Sequence, residues 1–449
     1  MATQAIDKPI PGIKETPLRG VQKQFAEDRL GLWRRFSREQ RDIVKMHFLI
    51  FPVVLLNTAE MAQQMLVDQA DAFDKIAQFP IIQLAVGEGV FSALSRNGAH
   101  RRQRRMVQPA FQPRRIAAYA DTMVGYGQRI AGEWSDGQVV NIGHQMMRIT
   151  LGVIGKTLFD VDVLGEADEV GRAITTAFEY FGAEIKRPFP VPLWLPTLHN
   201  YRIHKVVDRL DRIIYRIINE RRKNAEDKGD LLSILLAARH EDGSPLSDTE
   251  VRDEAMTLFL AGHETTAVAL TWAWYLLATH PDAYAKLQAE VEGVLQGRRP
   301  TLDDLPNLPY TLQVFKESLR MYPPADSFAR VALHDVEIGG YVIAKDTTVI
   351  VSPNALHHRA DYFPEPDKFD PQRWTTENEK RIPKGAYLPF GGGPRICIGN
   401  HFATMEGHLI LATLAQMANF ELYQYHVEPE AVFTTRPKHG IRMRVHKRD

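Results

Sequence analysis

The stretch Phe390-Gly391-Gly392-Gly393-Pro394-Arg395-Ile396-Cys397-Ile398-Gly399 holds the only cysteine of the 449-residue chain. Three consecutive glycines allow a tight turn, or the close approach of a flat ligand, at no steric cost. Arg395 puts a fixed positive charge two residues before Cys397, and Asn400-His401-Phe402 opens an apolar run of helical character. A thiol beside a cation and just ahead of a helix N-terminus is expected to ionise easily, because both favour the thiolate. One thiolate is a soft ligand suited to the iron of a haem. Cys397 is therefore read as an axial metal ligand.

Composition limits what surrounds that ligand. Basic and acidic residues number 55 each, so no charge excess points to nucleic acid. One cysteine excludes an internal disulfide framework and fits a reducing compartment. The first thirty residues are mixed and polar, with Pro9, Pro11 and Pro17, and do not read as a signal sequence. The most apolar run, His47 to Leu56, is far too short to span a bilayer and reads as two short strands. Together with the absence of repeats and low-complexity linkers, this predicts a cytoplasmic protein without a membrane anchor, a single domain over 1–449.

Along the chain the pattern is mainly α with small β-sheets. A helix is expected from Asn57 to Val67 with Asn57 as N-cap. The apolar, glycine-bearing segment Phe73 to Arg96 is expected to be a loop that either closes over something or folds onto the core. In His100-Arg101-Arg102-Gln103-Arg104-Arg105, His100 and Arg104 stand one helical turn apart and can hold an anionic group between them. The prolines between Pro188 and Pro196 mark a connector. Ser247, with Glu250 three positions on, starts the longest helix, which Pro281 stops. Its interior is apolar on nearly every face, yet Ala261-Gly262-His263-Glu264-Thr265-Thr266 puts poor helix formers and an acid into that core. Local conflict of this kind marks a functional site. A zinc-protease helix is excluded, since the second histidine that motif needs is Ala267 here. Pro309 to Met321 forms another helix, with Glu317 and Arg320 on one face. Val336 to Ile343 reads as a hairpin, Thr347 to Val351 as a strand, and a long helix runs from Cys397 to about Asn419.

Four of these pieces, in this order, resemble the cytochrome P-450 (haem-thiolate monooxygenase) family, and the resemblance covers nearly the whole chain. They are Ala261 to Thr266, Glu317-Ser318-Leu319-Arg320, Pro371-Gln372-Arg373-Trp374 and Phe390 to Gly399. The third departs from the family pattern, with Gln372 where glutamate is usual. The resemblance implies haem b held between the long central helix and the cysteine loop, with Cys397 as iron ligand and Phe390 beginning the haem-binding signature. It implies Arg395, His100, Arg104 and Arg330 as partners of the haem propionates, and Glu317, Arg320 and Arg373 as a buried structural triad. Glu264 and Thr265 become the catalytic pair, Thr265 at the oxygen site and Glu264 passing protons inward, while Gly262 leaves room for O2.

The expected reaction is insertion of one oxygen atom into an apolar organic substrate by hydroxylation or epoxidation. Too little chain follows Cys397 for a flavin or ferredoxin domain, so electrons are expected from a separate ferredoxin or flavodoxin attracted by Arg101, Arg105, Arg114 and Arg115. A peroxide-driven peroxygenase and a non-catalytic haem sensor are the alternatives. Phe79 to Ile82, Val86, Leu258, Ala261, Ala325 and Phe328 are implied as pocket residues, with Asp326 either an anchor for a substrate amine or hydroxyl or the cap of its own turn. Fatty acids, terpenoids, steroids and polyketides remain open as substrates.

Overall fold

Ser247 caps the central helix as its spacing predicts. In the computed structural model, which describes residues 8–13, 21–48, 51–76, 80–187, 191–224 and 227–448, the Glu250 amide donates to the Ser247 hydroxyl at 3.2 Å. The Glu250 carboxylate in turn accepts the Ser247 amide at 2.9 Å. The helix then runs unbroken over Asp248–Thr279, 32 residues, or about 48 Å at 1.5 Å per residue. Trp272 and Trp274 are fully buried along it. A helix apolar all round must be enclosed by others, and here it is surrounded by Ile142–Phe159, Leu198–Asn224, Pro309–Met321 and Asn400–Met417.

A close approach to Ile142–Phe159 occurs at Gly262. A Cβ on Gly262 would lie 2.7 Å from Ile154 Cδ1, below any normal contact. The glycine thus lets the two helices pack closely at this point, a role that stands beside the expected one of leaving room for O2.

Beside the helices stands a five-stranded sheet in the order Ile43–Phe48, Phe51–Leu56, Thr348–Val351, Phe328–Ala332, Phe73–Asp74. Only the second and third strands are parallel, with Val53 opposite Thr348 and Leu56 opposite Val351. The antiparallel pairing of the third and fourth sets Arg330 opposite Val349, and that of the fourth and fifth sets Asp74 opposite Val331. The expected hairpin forms as Val336–Ile338 and Tyr341–Ile343, turning through Gly339 (φ 59°) and Gly340 (φ 78°). Both positive angles suit a two-residue hairpin loop. Near the C-terminus, Pro429–Ala431 and Thr435–Pro437 form a second hairpin, fastened to the central helix by Trp272 Nε1 donating to the Thr435 carbonyl at 2.7 Å.

Two local expectations fail. The helix after the second strand is Ala59–Gln63, capped by Thr58, whose hydroxyl accepts the Met61 amide at 3.1 Å. Asn57 is fully buried at the strand end and donates instead to the Arg41 carbonyl at 2.9 Å. That helix continues as a π turn, Gln64–Asp68. The segment Phe73 to Arg96 contains the edge strand Phe73–Asp74 and a helix, Pro80–Val86, so it is not one loop. Among the described residues no helix is long and apolar enough to cross a membrane.

Candidate haem-thiolate site

The cysteine loop takes its shape from two of its three glycines. Gly391 (φ 73°) and Gly393 (φ 65°) are left-handed, while Gly392 is extended at φ −157°. A side chain on Gly393 would run into the Leu66 carbonyl of the π turn, and one on Gly391 would meet the Phe328 ring at 3.4 Å. The Cys397 amide donates to the Phe390 carbonyl at 2.9 Å, closing the loop. The partly buried Phe390 side chain packs against the main core. Cys397 is accessible to solvent, yet protein surrounds it on all sides. It therefore faces an internal cavity.

Burial pushes its thiol above the usual 9.0, although the Gly399 amide and Arg104 pull the other way. This overturns the expectation of an easily ionised thiol: desolvation outweighs the nearby cation and the helix terminus. Arg104, rather than Arg395, is the cation that acts on the sulfur. It also donates Nη1 to the Ile396 carbonyl at 2.7 Å.

Around the loop the fold gathers cations from four segments. Arg395 donates Nη2 to Asp74 Oδ1 at 3.1 Å, to the Ala93 carbonyl at 2.7 Å and to Ser95 Oγ at 2.8 Å. Arg330, on its strand, donates among the described residues only to the carbonyl of neighbouring Ala329, at 2.9 Å. Burial and the repulsion of Arg395 lower it to about 10. His100 is pushed down to about 4 by burial and by Arg395, Arg104, Lys75 and Arg330, so at neutral pH it offers an uncharged imidazole.

Lys75 was not anticipated. Its amino group sits over the Phe91 ring, 3.4 Å from the centroid, and donates to the Phe91 carbonyl. Burial, with Arg330 and Arg395 nearby, brings it well below 10.5. The sign in the sequence was the charged pair Asp74-Lys75 directly after Phe73, at the start of a mainly apolar segment.

Buried cations that repel one another, with Asp74 as the only carboxylate acting on them among the described residues, are costly unless an anion completes the set. A porphyrin bearing two propionates, with a thiolate available for its iron, fits this donor set.

On the central helix, Ala261 and Thr265 are accessible although the helix is buried around them. Four positions apart, they share one face and so open onto an interior cavity. Thr265 Oγ1 donates to the Ala261 carbonyl at 2.9 Å. Glu264 points elsewhere, toward the C-terminal hairpin, where its Oε1 accepts from Thr434 Oγ1 at 2.6 Å. Its Oε2 has no partner among the described residues. Burial raises the carboxyl to about 7 against the pull of Thr434 and Arg436. Arg436 pairs with Glu430 at 3.0 Å and with the exposed Glu179 at 3.2 Å, which joins this corner to the surface. Glu264 and Thr265 are therefore neighbours in sequence whose side chains make no hydrogen bond to each other.

The structural triad forms behind the loop. Arg320 and Glu317 pair at 2.8 Å with both side chains at 0% exposure, and Arg373 reaches Glu317 at 3.3 Å. Trp374 Nε1 donates to the same carboxylate at 2.9 Å. Gln372, the departure from the family pattern, lies outside this network, as its exposed side chain faces solvent.

Asp326 contradicts the expected anchor role. Both its oxygens accept from Arg29 at 2.8 Å, and Trp33 Nε1 adds a bond at 2.9 Å. Buried and paired in this way, the acid is committed to Arg29 and Trp33 and is not a free anchor for a substrate. Val86 and Leu258 are buried, Ala325 and Phe328 half-buried, and Phe79 lies outside the described residues.

Comparisons with known proteins agree with this geometry. The family description "Cytochrome P450" matches residues 10–442. Cyclooctatin synthase of Streptomyces melanosporofaciens is 40% identical over 83% of this chain and 82% of its own. Cyclooctat-9-en-7-ol 5-monooxygenase of the same organism is 36% identical over 86% and 85%. Pentalenene oxygenase of Streptomyces avermitilis is 36% identical over 74% and 73%. The crystal structure of the cytochrome P450DA haem domain superposes with a TM-score of 0.89 at 28% identity, covering 98% of both chains. A thiol aimed into an enclosed cavity, cations awaiting carboxylates and these likenesses lead to one conclusion: the chain belongs to the cytochrome P450 family and is an oxidoreductase that carries haem b and acts with O2.

Proposed function

We propose that this protein hydroxylates a cyclic, hydrocarbon-rich terpenoid, taking electrons from a separate ferredoxin or flavodoxin. The observation that carries the substrate class is the likeness, across about three quarters of the chain or more, to relatives named for cyclooctatin, cyclooctat-9-en-7-ol and pentalenene. The structure supports it chemically: Asp326, the one acid expected in the pocket, is spent on Arg29 and Trp33, so what remains of the implied lining is apolar. An apolar pocket favours a ligand that loses little by leaving water.

In this reading Cys397 ligates the iron, and Arg395, Arg330, Arg104 and Lys75 take the propionates, with His100 adding a neutral hydrogen bond. Bound haem supplies the iron centre at which O2 is activated. The protein's part is to keep that space dry, to hold the Thr265 hydroxyl on its edge and to store a proton at Glu264. A carboxyl near 7 is matched to giving up and regaining a proton at neutral pH. The exposed Arg101, Arg105 and Arg114 form the surface to which an acidic electron donor is drawn.

Two measurements test the reading. Reduction under carbon monoxide should give the red-shifted Soret band of a thiolate haem. Cyclic terpenes and terpene alcohols should shift the iron to high spin at lower concentrations than fatty acids or steroids do. Tighter spin shifts with fatty acids would overturn the substrate class, and equal turnover with hydrogen peroxide and no reductase would overturn the need for an electron donor.

A further inference from the structure

Asp74 is at 0% exposure, yet it sits among cations that the haem needs for itself. Its Oδ1 accepts from the Lys75 amide at 2.8 Å, the Ser95 amide at 2.8 Å and Arg395 Nη2 at 3.1 Å, and its Oδ2 from the Arg96 amide at 3.0 Å. Those bonds hold the carboxyl below 3.8 despite its burial, so it is ionised. The same few atoms therefore join the edge strand Phe73–Asp74, the turn at Ser95-Arg96 and the cysteine loop through Arg395.

The commitments of Arg395 show what this achieves. Nη2 is spent on Asp74, the Ala93 carbonyl and Ser95 Oγ, and Nε on Ser95 Oγ at 3.1 Å. Nη1 alone has no acceptor among the described residues. A guanidinium fixed on two of its nitrogens presents the third as a donor of defined direction. Without the carboxylate, Arg395 would face Arg330 and Lys75 with nothing to offset their repulsion. It would then be held only by the neutral Ala93 carbonyl and Ser95 hydroxyl, against that repulsion, before any anion arrived.

We propose that Asp74 is a positioning residue for haem capture: its carboxylate fixes Arg395 in the propionate-binding pose and offsets the repulsion within the cation cluster. This rests on the family assignment and not on the substrate class. A competing effect has the opposite sign, because a buried carboxylate also repels propionates. The saturated hydrogen bonding of Asp74 points to preorganisation as the larger effect, since a fixed donor loses little entropy when it binds.

The test is the rate at which haem leaves the holoprotein for an excess of an apo-globin acceptor, with circular dichroism of each apoprotein as a check on folding. Asp74→Asn should speed haem loss at least tenfold. In an Arg395→Gln background, which itself loses haem faster, adding Asp74→Asn should change the rate less than twofold. Unchanged or slower haem loss in Asp74→Asn overturns the proposal, because repulsion then dominates. An undiminished effect of Asp74→Asn in the Arg395→Gln background also overturns it, because Asp74 then acts through the Ser95-Arg96 turn alone. Should Asp74→Asn fail to fold, Asp74→Ser also removes the charge and leaves a smaller acceptor, and wild-type haem retention in that variant overturns the proposal equally. Failure of the terpenoid reading would leave all of these rates unaffected.

Discussion

His357 accepts the Leu388 amide on Nε2 at 2.9 Å, and its Nδ1 lies 3.1 Å from the Arg320 carbonyl. Because Nε2 accepts, the ring proton is on Nδ1 and is donated to Arg320. One imidazole thus ties the Glu317–Arg320 helix to the chain entering the cysteine loop. Replacing it by leucine strands a buried amide and a buried carbonyl, at a cost of about 1–3 kcal/mol. Urea denaturation of His357→Leu should show that loss, together with faster haem release. Burial and Arg320 push His357 down to about 3, so the ring is neutral throughout the working range. The unfolded ring takes up a proton below about 6.5 and the folded one does not, so wild type loses stability relative to the variant as pH falls, and the deficit of His357→Leu should be largest above about pH 7 and shrink toward pH 5.

Gly262→Ala should destabilise the protein by about 1–3 kcal/mol, the usual cost of overfilling a close contact. The atom in the way is Ile154 Cδ1. Ile154→Val removes that atom, so the double variant should regain most of the loss in thermal melts. If O2 access were the reason for the glycine, Ile154→Val would restore no activity to Gly262→Ala.

Glu264 gives a pH dependence with a definite sign. Below about pH 4.5 the group is protonated in both folded and unfolded chains and costs nothing. Between there and about 7 the unfolded chain releases its proton while the folded one keeps it, so stability falls as pH rises. Above about 7 the folded carboxyl ionises too and the penalty is at its full size. Glu264→Gln should flatten melting temperature against pH in that window. It should also cut coupled turnover by roughly a hundredfold or more, as expected for loss of a proton-transfer group. A turnover profile that keeps its wild-type shape in this variant would remove Glu264 from proton delivery.

Asp326→Ala leaves Arg29 buried without its acid, which costs about 3–5 kcal/mol for a broken buried pair. Stability measured by denaturant titration should drop accordingly, while the ranking of substrates by spin shift stays as in the wild type. A changed ranking would restore the acid to the pocket.

What the sequence made legible was governed by local rules. The Ser247–Glu250 cap, the Gly339-Gly340 turn and the Glu317–Arg320 spacing each involve residues within four positions, where geometry follows from the chain itself. Partners chosen by the tertiary fold escaped it. Asp326 looks like a free loop acid until Arg29, 297 positions away, is brought to it. Arg395 looks free for the haem until Asp74, 321 positions away, takes part of its guanidinium. The thiol's ionisation was misjudged for the same reason, since the cation and the helix start are visible in the sequence and the desolvation is not. Lys75 drew no expectation, because its place among the cations is set only when the strand beside it pairs with Phe328–Ala332.

The parallel pairing of Phe51–Leu56 with Thr348–Val351 has a consequence for biosynthesis. A chain made from its N-terminus exposes the first of these strands long before the second exists, and contacts so distant in sequence form slowly. Arg330 reaches its place only when its own strand is held by Thr348–Val351, and Cys397 is translated later still. The nascent protein thus has no place for its prosthetic group until Cys397 has left the ribosome. Insertion of that group is then the closing event of maturation, and cells starved of it should accumulate a full-length chain with an open, protease-sensitive cysteine loop.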